Sequence, residues 1–278
     1  MATRVITDST CDLPASVIGE LDIQVVPLYI HVDGRDYLDG IDMTREEFYR
    51  RLPTFKEHPR TAVPSMLKFR SMFDSLADEG ATEVLAIHIS KTLSAVLDVA
   101  QSAAKETTSV PVTVFDSHQL SLGTGFLVQK AAELAQAGES VKEILEKLED
   151  QVRRTYVSAA LDTLKFLRRS GRMNRVVSTI GELLDLKPIL KMYNGVSGIE
   201  KVRTQKNAIK RLAEMLRSHG PFEKLALLYS GSVENVHSLM AEVRDLLPDT
   251  ETWVEIINPV LGAHIGPGVF GFACVTLE

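Results

Sequence analysis

The chain has 278 residues, 45% of them hydrophobic and 24% charged, a globular composition that excludes intrinsically disordered and fibrous proteins. Its formal net charge of −6 argues against a general nucleic-acid binder. No apolar run approaches the roughly 20 residues that span a bilayer, and the first residues lack the apolar segment of a signal peptide. We therefore expect a cytoplasmic protein without a transmembrane segment. Cys11 and Cys274 form no CxxC pair, and both are expected to be small buried residues.

The first half of the chain alternates apolar strands with helices, a pattern typical of an α/β domain with a mainly parallel sheet. Asp33-Gly34 is a two-residue turn signal, so residues 28–38 are expected to form a hairpin that projects from this sheet. Residues 60–65 are expected to form a polar turn, whose Pro64 favours the start of the next helix. The predicted strands are Arg4–Thr7, Ile23–Val32, Val84–Ile89 and Val110–Phe115. One predicted helix begins at Asp12. The other predicted helices cover residues 44–52, 66–76, 93–100, 123–137 and 141–153.

One junction between a strand and a helix carries a group of hydroxyl side chains. The strand Val84–Ile89 is predicted to lead directly into a helix, because apolar residues recur after it at helical spacing. Ser90, Thr92 and Ser94 would then lie at the first turn of that helix. Unpaired backbone N–H groups and the helix dipole favour an anion there, such as a carboxylate or a phosphate. The alternative is that one hydroxyl is an ordinary N-cap.

Three predicted strands of the first half end in turns with hydroxyl groups. These turns contain Asp8-Ser9, Ser90 and Asp116-Ser117. Ligands of open α/β sheets bind at the carboxyl ends of the parallel strands. The three turns are therefore expected to gather at one edge of the sheet.

The second half of the chain is expected to contain a mixed sheet with helices. Asn194-Gly195, between two apolar runs, is a strong hairpin signal and predicts antiparallel strands. Gly171 is expected to end a helix within the basic segment 164–175. We therefore predict two α/β domains, residues 1–155 and 156–278. The predicted strands are Tyr156–Leu161, Lys187–Tyr193, Val196–Arg203, Lys224–Tyr229, Thr252–Ile257 and Val269–Leu277, and the predicted helices are Gln205–Arg217 and Val233–Leu246.

Positive charge is concentrated in residues 165–211, which contain twelve Lys or Arg against three Asp or Glu, a local net charge of +9. Such a block in an acidic chain is either a solvated face or a docking surface for an acidic partner or a phosphate. The sequence around it does not decide between the two interpretations.

Residues 266–271 match the dinucleotide-binding pattern GxGxxG. That pattern must open a helix, whereas here it leads into the last predicted strand, so we reject the match. The glycines are instead expected to allow a close approach of the backbone to another group. A Ser–His–Asp hydrolase built from Ser94, His264 and Asp116 stays open, because the order of triad residues varies between folds.

Seven motifs in chain order make the sequence similar to the DegV family, and together they cover essentially the whole chain. The resemblance implies two α/β domains that enclose a long-chain fatty acid between them. It also implies a role as the fatty-acid-binding subunit of a bacterial fatty acid kinase. The motifs are residues 8–14, Thr61 with Pro64-Ser65, Ile89-Ser90 with Leu93-Ser94, Asp116-Ser117, Ser170-Gly171-Arg172, residues 186–190 and residues 264–268.

The resemblance further implies that Thr61, Ser94 and His264 bind the carboxylate of the fatty acid. Burial of ~14 methylene groups contributes on the order of 11 kcal/mol gross, so the head group needs positioning more than tight binding. Hydroxyl groups hold a carboxylate without an ion pair, which leaves it available for phosphorylation to an acyl phosphate for phospholipid synthesis. The chain itself is expected to be non-catalytic, with no cofactor and no metal.

Arg172 and Arg203 are expected to dock the kinase, because positive charge beside the pocket mouth would neutralise the phosphoryl oxygens during transfer. The family usually has glycine where this chain has Thr92 and Ala95. Side chains larger than glycine at these two positions bear on the shape of the pocket near the head group, so the sequence leaves the acyl-chain preference open.

Two other functions stay open from the sequence. One is a hydrolase or lipid-modifying enzyme that depends on Ser94, and the other is a regulator that senses a lipid. Co-purified fatty acid in near one-to-one amount would support carriage or sensing. Esterase turnover without bound lipid would support the hydrolase.

Overall fold

The computed structural model describes residues 3–173, 186–247 and 252–277, and it contains three β-sheets surrounded by helices. The strands are β1 (Thr3–Asp8), β2 (Gln24–Val26), β3 (Tyr29–Val32), β4 (Arg35–Leu38), β5 (Arg60–Ala62), β6 (Glu83–His88), β7 (Val112–Asp116), β8 (Thr155–Ala160), β9 (Ile189–Tyr193), β10 (Val196–Glu200), β11 (Phe222–Tyr229), β12 (Trp253–Ile256) and β13 (Phe270–Thr276). The helices are α1 (Ala15–Glu20), α2 (Arg45–Arg51), α3 (Met66–Asp78), α4 (Val96–Glu106), α5 (Leu122–Gln136), α6 (Val141–Arg154), α7 (Lys165–Arg169), α8 (Gln205–His219), α9 (Glu234–Glu242) and α10 (Pro259–Ile265).

The first half of the chain forms a four-stranded sheet in the order β2-β1-β6-β7, and every pair of neighbours is parallel. Ile6 lies opposite Gln24 on one side and opposite Ala86 on the other. Helices connect these strands. Two parallel strands need a crossover connection, because the chain must return to the end of the sheet where the first strand began. The predicted mainly parallel α/β sheet is confirmed.

Strands β4, β3 and β5 form a second, small antiparallel sheet in the order β4-β3-β5. It is separate from the parallel sheet. Asp33 and Gly34 have φ angles of 50° and 74°, which a tight hairpin turn requires, and they connect β3 to β4 as predicted. Thr61 of β5 lies opposite Ile30 of β3. The prediction of a polar turn over residues 60–65 is wrong for its first three residues, because strand pairing with β3 satisfies their backbone groups.

The extended run predicted over residues 23–32 is divided between two sheets. Its first part is β2 of the parallel sheet, and its second part is β3 of the small sheet. Pro27 lies between them, and a proline cannot donate to a strand ladder. The break lets the chain leave one sheet and start the next within a few residues.

The second half forms a six-stranded mixed sheet in the order β10-β9-β8-β13-β11-β12. The pair β11–β12 is parallel and the other pairs are antiparallel. Asn194 and Gly195, with φ angles of 45° and 75°, form the predicted hairpin turn between β9 and β10. The first strand of this sheet, β8, begins at Thr155, next to the predicted domain boundary between residues 155 and 156. The domain boundary itself stays a prediction.

Helix α5 lies between the two large sheets, because it contacts both β1 and β13. The Phe126 ring of α5 lies 5.9 Å from the Trp253 ring of β12, and one hydrophobic core extends across both halves of the chain. A second core packs α8 and α9 on the opposite face of the mixed sheet. Within the described ranges, each helix is too short or too polar to cross a bilayer.

Candidate ligand-binding site

An apolar cavity lies on the face of the mixed sheet that is turned toward the first half of the chain. Its inner part is lined by Val157 and Ala159 of β8 and by Met192 of β9. The outer part of the cavity continues from the inner part, since both share five apolar side chains. The two parts span about 570 and 890 Å³ of space between atoms, including space open to solvent. The shared side chains are Leu93, Leu120, Leu190, Leu261 and Ile265.

The outer part of the apolar cavity has a polar end, where Thr61, Ser94 and His264 line the same space. Thr61 Oγ1 and His264 Nε2 are 3.0 Å apart, across the boundary between the small sheet and α10. Thr10 and Arg172 also line this part. The structure thus brings together the three residues that the family resemblance implies for a carboxylate.

His264 is held as a neutral imidazole. Burial, with smaller contributions from the positive charge of Arg172 and from the neighbouring His58, lowers its pKa to about 4. Its Nδ1 atom is buried and has no hydrogen-bond partner among the described residues. In the tautomer with the ring proton on Nε2, His264 would donate to Thr61 Oγ1, and the hydroxyl proton of Thr61 would then be free to donate to a ligand.

Ser94 is held in a comparable way. Its Oγ accepts the backbone N–H of Val96 at 3.3 Å, so its own hydroxyl proton can point toward a ligand in the cavity. Two hydroxyl groups that accept from the protein and donate into one cavity suit a carboxylate, which only accepts when ionised. Hydrogen bonds to a charged acceptor are stronger than those between neutral groups.

The prediction that β6 leads directly into a helix is wrong. Helix α4 begins at Val96, after a turn of several residues, and its N-cap Ala95 offers no side-chain bond. Ser90 Oγ and Thr92 Oγ1 are 3.0 Å apart, and Thr92 donates to the carbonyl of Gly195 at 3.2 Å. The hydrogen bonds of Ser90 and Thr92 therefore stabilise the turn and connect it to the β9–β10 hairpin. Of the three hydroxyls, Ser94 lines the cavity.

The turns that follow β1, β6 and β7 gather at one edge of the parallel sheet, as expected. Asp8 Oδ2 accepts the backbone N–H of Ile89 and lies 3.0 Å from His88 Nδ1. Ser117 N–H donates to the carbonyl of His88 at 3.1 Å. These polar groups are buried and bind one another, so they fix the edge of the sheet. Thr10, which donates to Asp8, is the residue of this group that reaches the cavity.

His264 lies in the last turn of α10, just before the glycines of residues 266–271. The side chain of Asn258 caps this helix by accepting the N–H of Leu261 at 2.9 Å, and Pro259 occupies the first turn. A cap residue followed by proline is a known helix-start signal that the sequence contains. The helix is seven residues long, too short for a clear apolar periodicity. Gly266 then ends it with a φ of 78°, and a Cβ there would lie 2.4 Å from Phe166, which is the close approach expected for this glycine.

Arg172 and Arg203 occupy different environments. Arg172 follows α7, donates to the carbonyl of Ser170 at 3.0 Å and lines the polar end of the cavity. Arg203 is exposed and follows β10. The strand before α7 ends at the same end of the mixed sheet as β10. Gly171, with a φ of 71°, follows α7 as predicted, and the basic segment beyond residue 173 lies outside the described residues.

The possible hydrolase triad is not assembled. Asp116 accepts the backbone N–H of His118 at 2.9 Å and lies at the end of β7, whereas His264 is bound to Thr61. The second ring nitrogen of His264 has no carboxylate against it in the described part of the chain, so no acid orients the imidazole toward Ser94. Among the same residues, no group of three His, Cys, Asp or Glu side chains could hold a metal ion. Both cysteines are buried free thiols, as expected.

The fold is an α/β fold with a parallel and a mixed sheet, and its apolar cavity with hydroxyl and imidazole groups at one end is suited to a small amphipathic molecule. A family model described as "Uncharacterised protein, DegV family" matches residues 2–277. A DegV domain-containing protein of Deinococcus radiodurans is 36% identical over 287 residues, covering 100% of both chains. The chain belongs to the DegV family.

Solved structures of DegV proteins have the same fold. One, of a DegV family protein from Thermus thermophilus described for its fatty acid binding, is 34% identical with a TM-score of 0.90 over 100% of both chains. Another, of DegV from Bacillus subtilis, a fatty acid binding protein, is 29% identical with a TM-score of 0.91 over 99% of this chain and 100% of the other.

Proposed function

We propose that this protein binds a long-chain fatty acid in the apolar cavity and presents its carboxylate to a fatty acid kinase. The observation that carries the proposal is the continuity of the cavity from its apolar inner part to the Thr61–His264 pair and Ser94. The acyl chain would lie along β8 and β9. The carboxylate would accept the hydroxyl protons of Thr61 and Ser94. The fatty acid binding of similar DegV proteins supports this assignment.

The chemistry that follows belongs to the kinase. One carboxylate oxygen forms a bond to the terminal phosphorus of a nucleoside triphosphate, while the bond from that phosphorus to the leaving nucleoside diphosphate breaks. This chain holds the carboxylate in place and excludes water from the acyl chain. Because His264 is neutral, its contact with the carboxylate would be a hydrogen-bonded one through Thr61 and not an ion pair.

The test is to denature the purified protein and measure released lipid by mass spectrometry. We expect a fatty acid in near one-to-one amount with protein. Addition of the cognate kinase and nucleoside triphosphate should then convert the bound lipid to an acyl phosphate. A preparation that holds no fatty acid and does not bind added palmitate would overturn the proposal, whereas binding without conversion would leave a carrier or a lipid sensor.

A further inference from the structure

The apolar cavity has a second end, remote from its polar end and beside the β9–β10 hairpin. Val157, near the start of β8, pairs with Met192 of β9, which in turn pairs with Ser197 of β10, and all three residues line the inner part. The other end of β8 leads through α7 to Arg172, which lines the polar end. A fatty acid with its carboxylate at Thr61 would therefore direct its methyl end toward the hairpin.

Two hydrogen bonds fix the tip of this hairpin to the first half of the chain, and we call them the hairpin clamp. Gly195 N–H donates to the carbonyl of His118 at 2.9 Å, and Thr92 Oγ1 donates to the carbonyl of Gly195 at 3.2 Å. Leu93 directly follows Thr92 in the chain, and Leu120 lies shortly after His118. Both leucines line the inner part of the cavity. The clamp thus ties the strands of one cavity wall to the turns that form the opposite wall.

The hairpin tip lies in close contact with the turn that follows β7. A Cβ at Gly195 would lie 2.7 Å from His118 Nδ1, so the two segments cannot approach further. His118 has a φ of 53°, an uncommon conformation for a residue with a side chain, and Asp116 accepts its backbone N–H at 2.9 Å. Such a conformation persists only where the surrounding contacts enforce it. Space at this end of the cavity can therefore be gained only by moving the hairpin outward.

We propose that the hairpin clamp sets an upper limit on the length of the acyl chain, with Thr92 as the positioning residue that holds the hairpin closed. This rests on the proposed function, because the ligand of the apolar cavity is taken to be a fatty acid. Methylene groups beyond the limit would have to displace the hairpin, because packed side chains leave no other space for them. Displacement breaks both bonds of the clamp, and this loss offsets the gain from burying a longer chain.

The test is a series of saturated fatty acids from laurate to behenate, each measured in competition with palmitate. Wild-type affinity should rise with chain length up to a limit and fall beyond it. Thr92→Val removes the hydroxyl at nearly constant shape, so it should raise the affinity for the first chain beyond the limit about threefold to tenfold. Shorter chains should change less than about twofold. Thr92 is exposed and lies outside the cavity lining, so its replacement leaves the apolar contacts intact.

Two further variants separate the clamp from a general effect of losing a hydroxyl. Thr92→Ser keeps the hydroxyl and should retain the wild-type limit. Thr54→Val is the matched control, because Thr54 is also exposed and donates to a backbone carbonyl, that of Arg51 at 2.7 Å, away from the cavity. Ser197→Leu fills the same end from the hairpin side and should move the limit to shorter chains.

Amide hydrogen exchange of Gly195 reports directly on the clamp, since its N–H is one of the two donors. Chains beyond the limit should speed this exchange, and shorter chains should not. A wild-type affinity that never falls along the series would overturn this proposal and leave the proposed function in place. So would a Thr92→Val profile equal to that of Thr54→Val. Failure of the wild-type protein to bind a fatty acid of any length would overturn the proposed function as well.

Discussion

Asp12 Oδ1 accepts both the backbone N–H and the side-chain Nδ2–H of Asn258, each at 2.9 Å, across 246 positions of the chain. Asp12 is fully buried with a φ of 57°, and Arg45 lies 3.6 Å from its carboxylate. Because Asn258 also caps α10, this contact between the two halves of the chain sets the position of His264 against Thr61.

Replacement Asn258→Ala should lower both stability and fatty-acid affinity. It removes the side-chain Nδ2–H, one of the two donors to a buried carboxylate, and the side-chain cap of α10, so we expect a loss of about 2–4 kcal/mol in the free energy of unfolding. Urea unfolding and a palmitate titration measure the two effects. Asn207→Ala, at an exposed position of α8, is the control and should change neither. An Asn258→Ala protein with wild-type stability would contradict the role of this contact.

Thr61→Val and Ser94→Ala should each weaken fatty-acid binding and leave the fold intact. Each loses a hydroxyl that can donate to the carboxylate, and such a bond to a charged acceptor contributes roughly 1.5–3 kcal/mol. The double variant should lose more. Isothermal titration with palmitate gives the affinities, with Ser71→Ala at an exposed position of α3 as the control. Unchanged affinity in both single variants would place the carboxylate elsewhere.

Charge reversal of Arg203 should separate kinase docking from fatty-acid binding. Arg203 is exposed and does not line the apolar cavity, so Arg203→Glu should leave palmitate affinity almost unchanged and sharply lower acyl-phosphate formation. Wild-type activity should also fall as salt rises. Arg172→Glu should affect both quantities, because Arg172 lies beside His264. Normal phosphorylation by Arg203→Glu, compared with Lys210→Glu on α8, would rule out this docking surface.

The buried imidazole of His264 should make stability depend on pH. Its folded pKa of about 4 lies below the roughly 6.5 of an unfolded chain, so the unfolded state binds more protons between these values. The contribution is complete above pH 6.5 and is lost as pH falls toward 4, by up to about 3 kcal/mol. Burial raises the pKa of Asp39 to about 7, which acts in the opposite direction over the same range.

Comparison with His264→Gln isolates the histidine from Asp39. The difference in unfolding free energy between wild type and His264→Gln should shrink as pH falls from about 6.5 to about 4. Urea unfolding at several pH values provides the curve. A difference that stays constant with pH would mean that His264 titrates normally in the folded protein.

The sequence by itself determined the elements with strong local signals. The β9–β10 hairpin follows from Asn194-Gly195, where a tight turn needs two positive φ angles. The parallel sheet follows from apolar strands that alternate with helices, since burial on both faces needs that pattern. Ser94 became a candidate through its place after β6, whereas the family resemblance was needed to join it with Thr61 and His264 as carboxylate ligands, because single Ser, Thr or His residues carry no periodic signal.

Only the tertiary structure decided how these residues meet. Thr61 and His264 lie 3.0 Å apart because a three-residue strand pairs with β3 and a seven-residue helix is fixed by Asp12. Neither element is long enough for its hydrophobic periodicity to show, and both depend on partners far away in the chain. The separation of Ser90 and Thr92 from the ligand cavity has the same cause. Their hydrogen bonds go to neighbours that local sequence patterns do not specify.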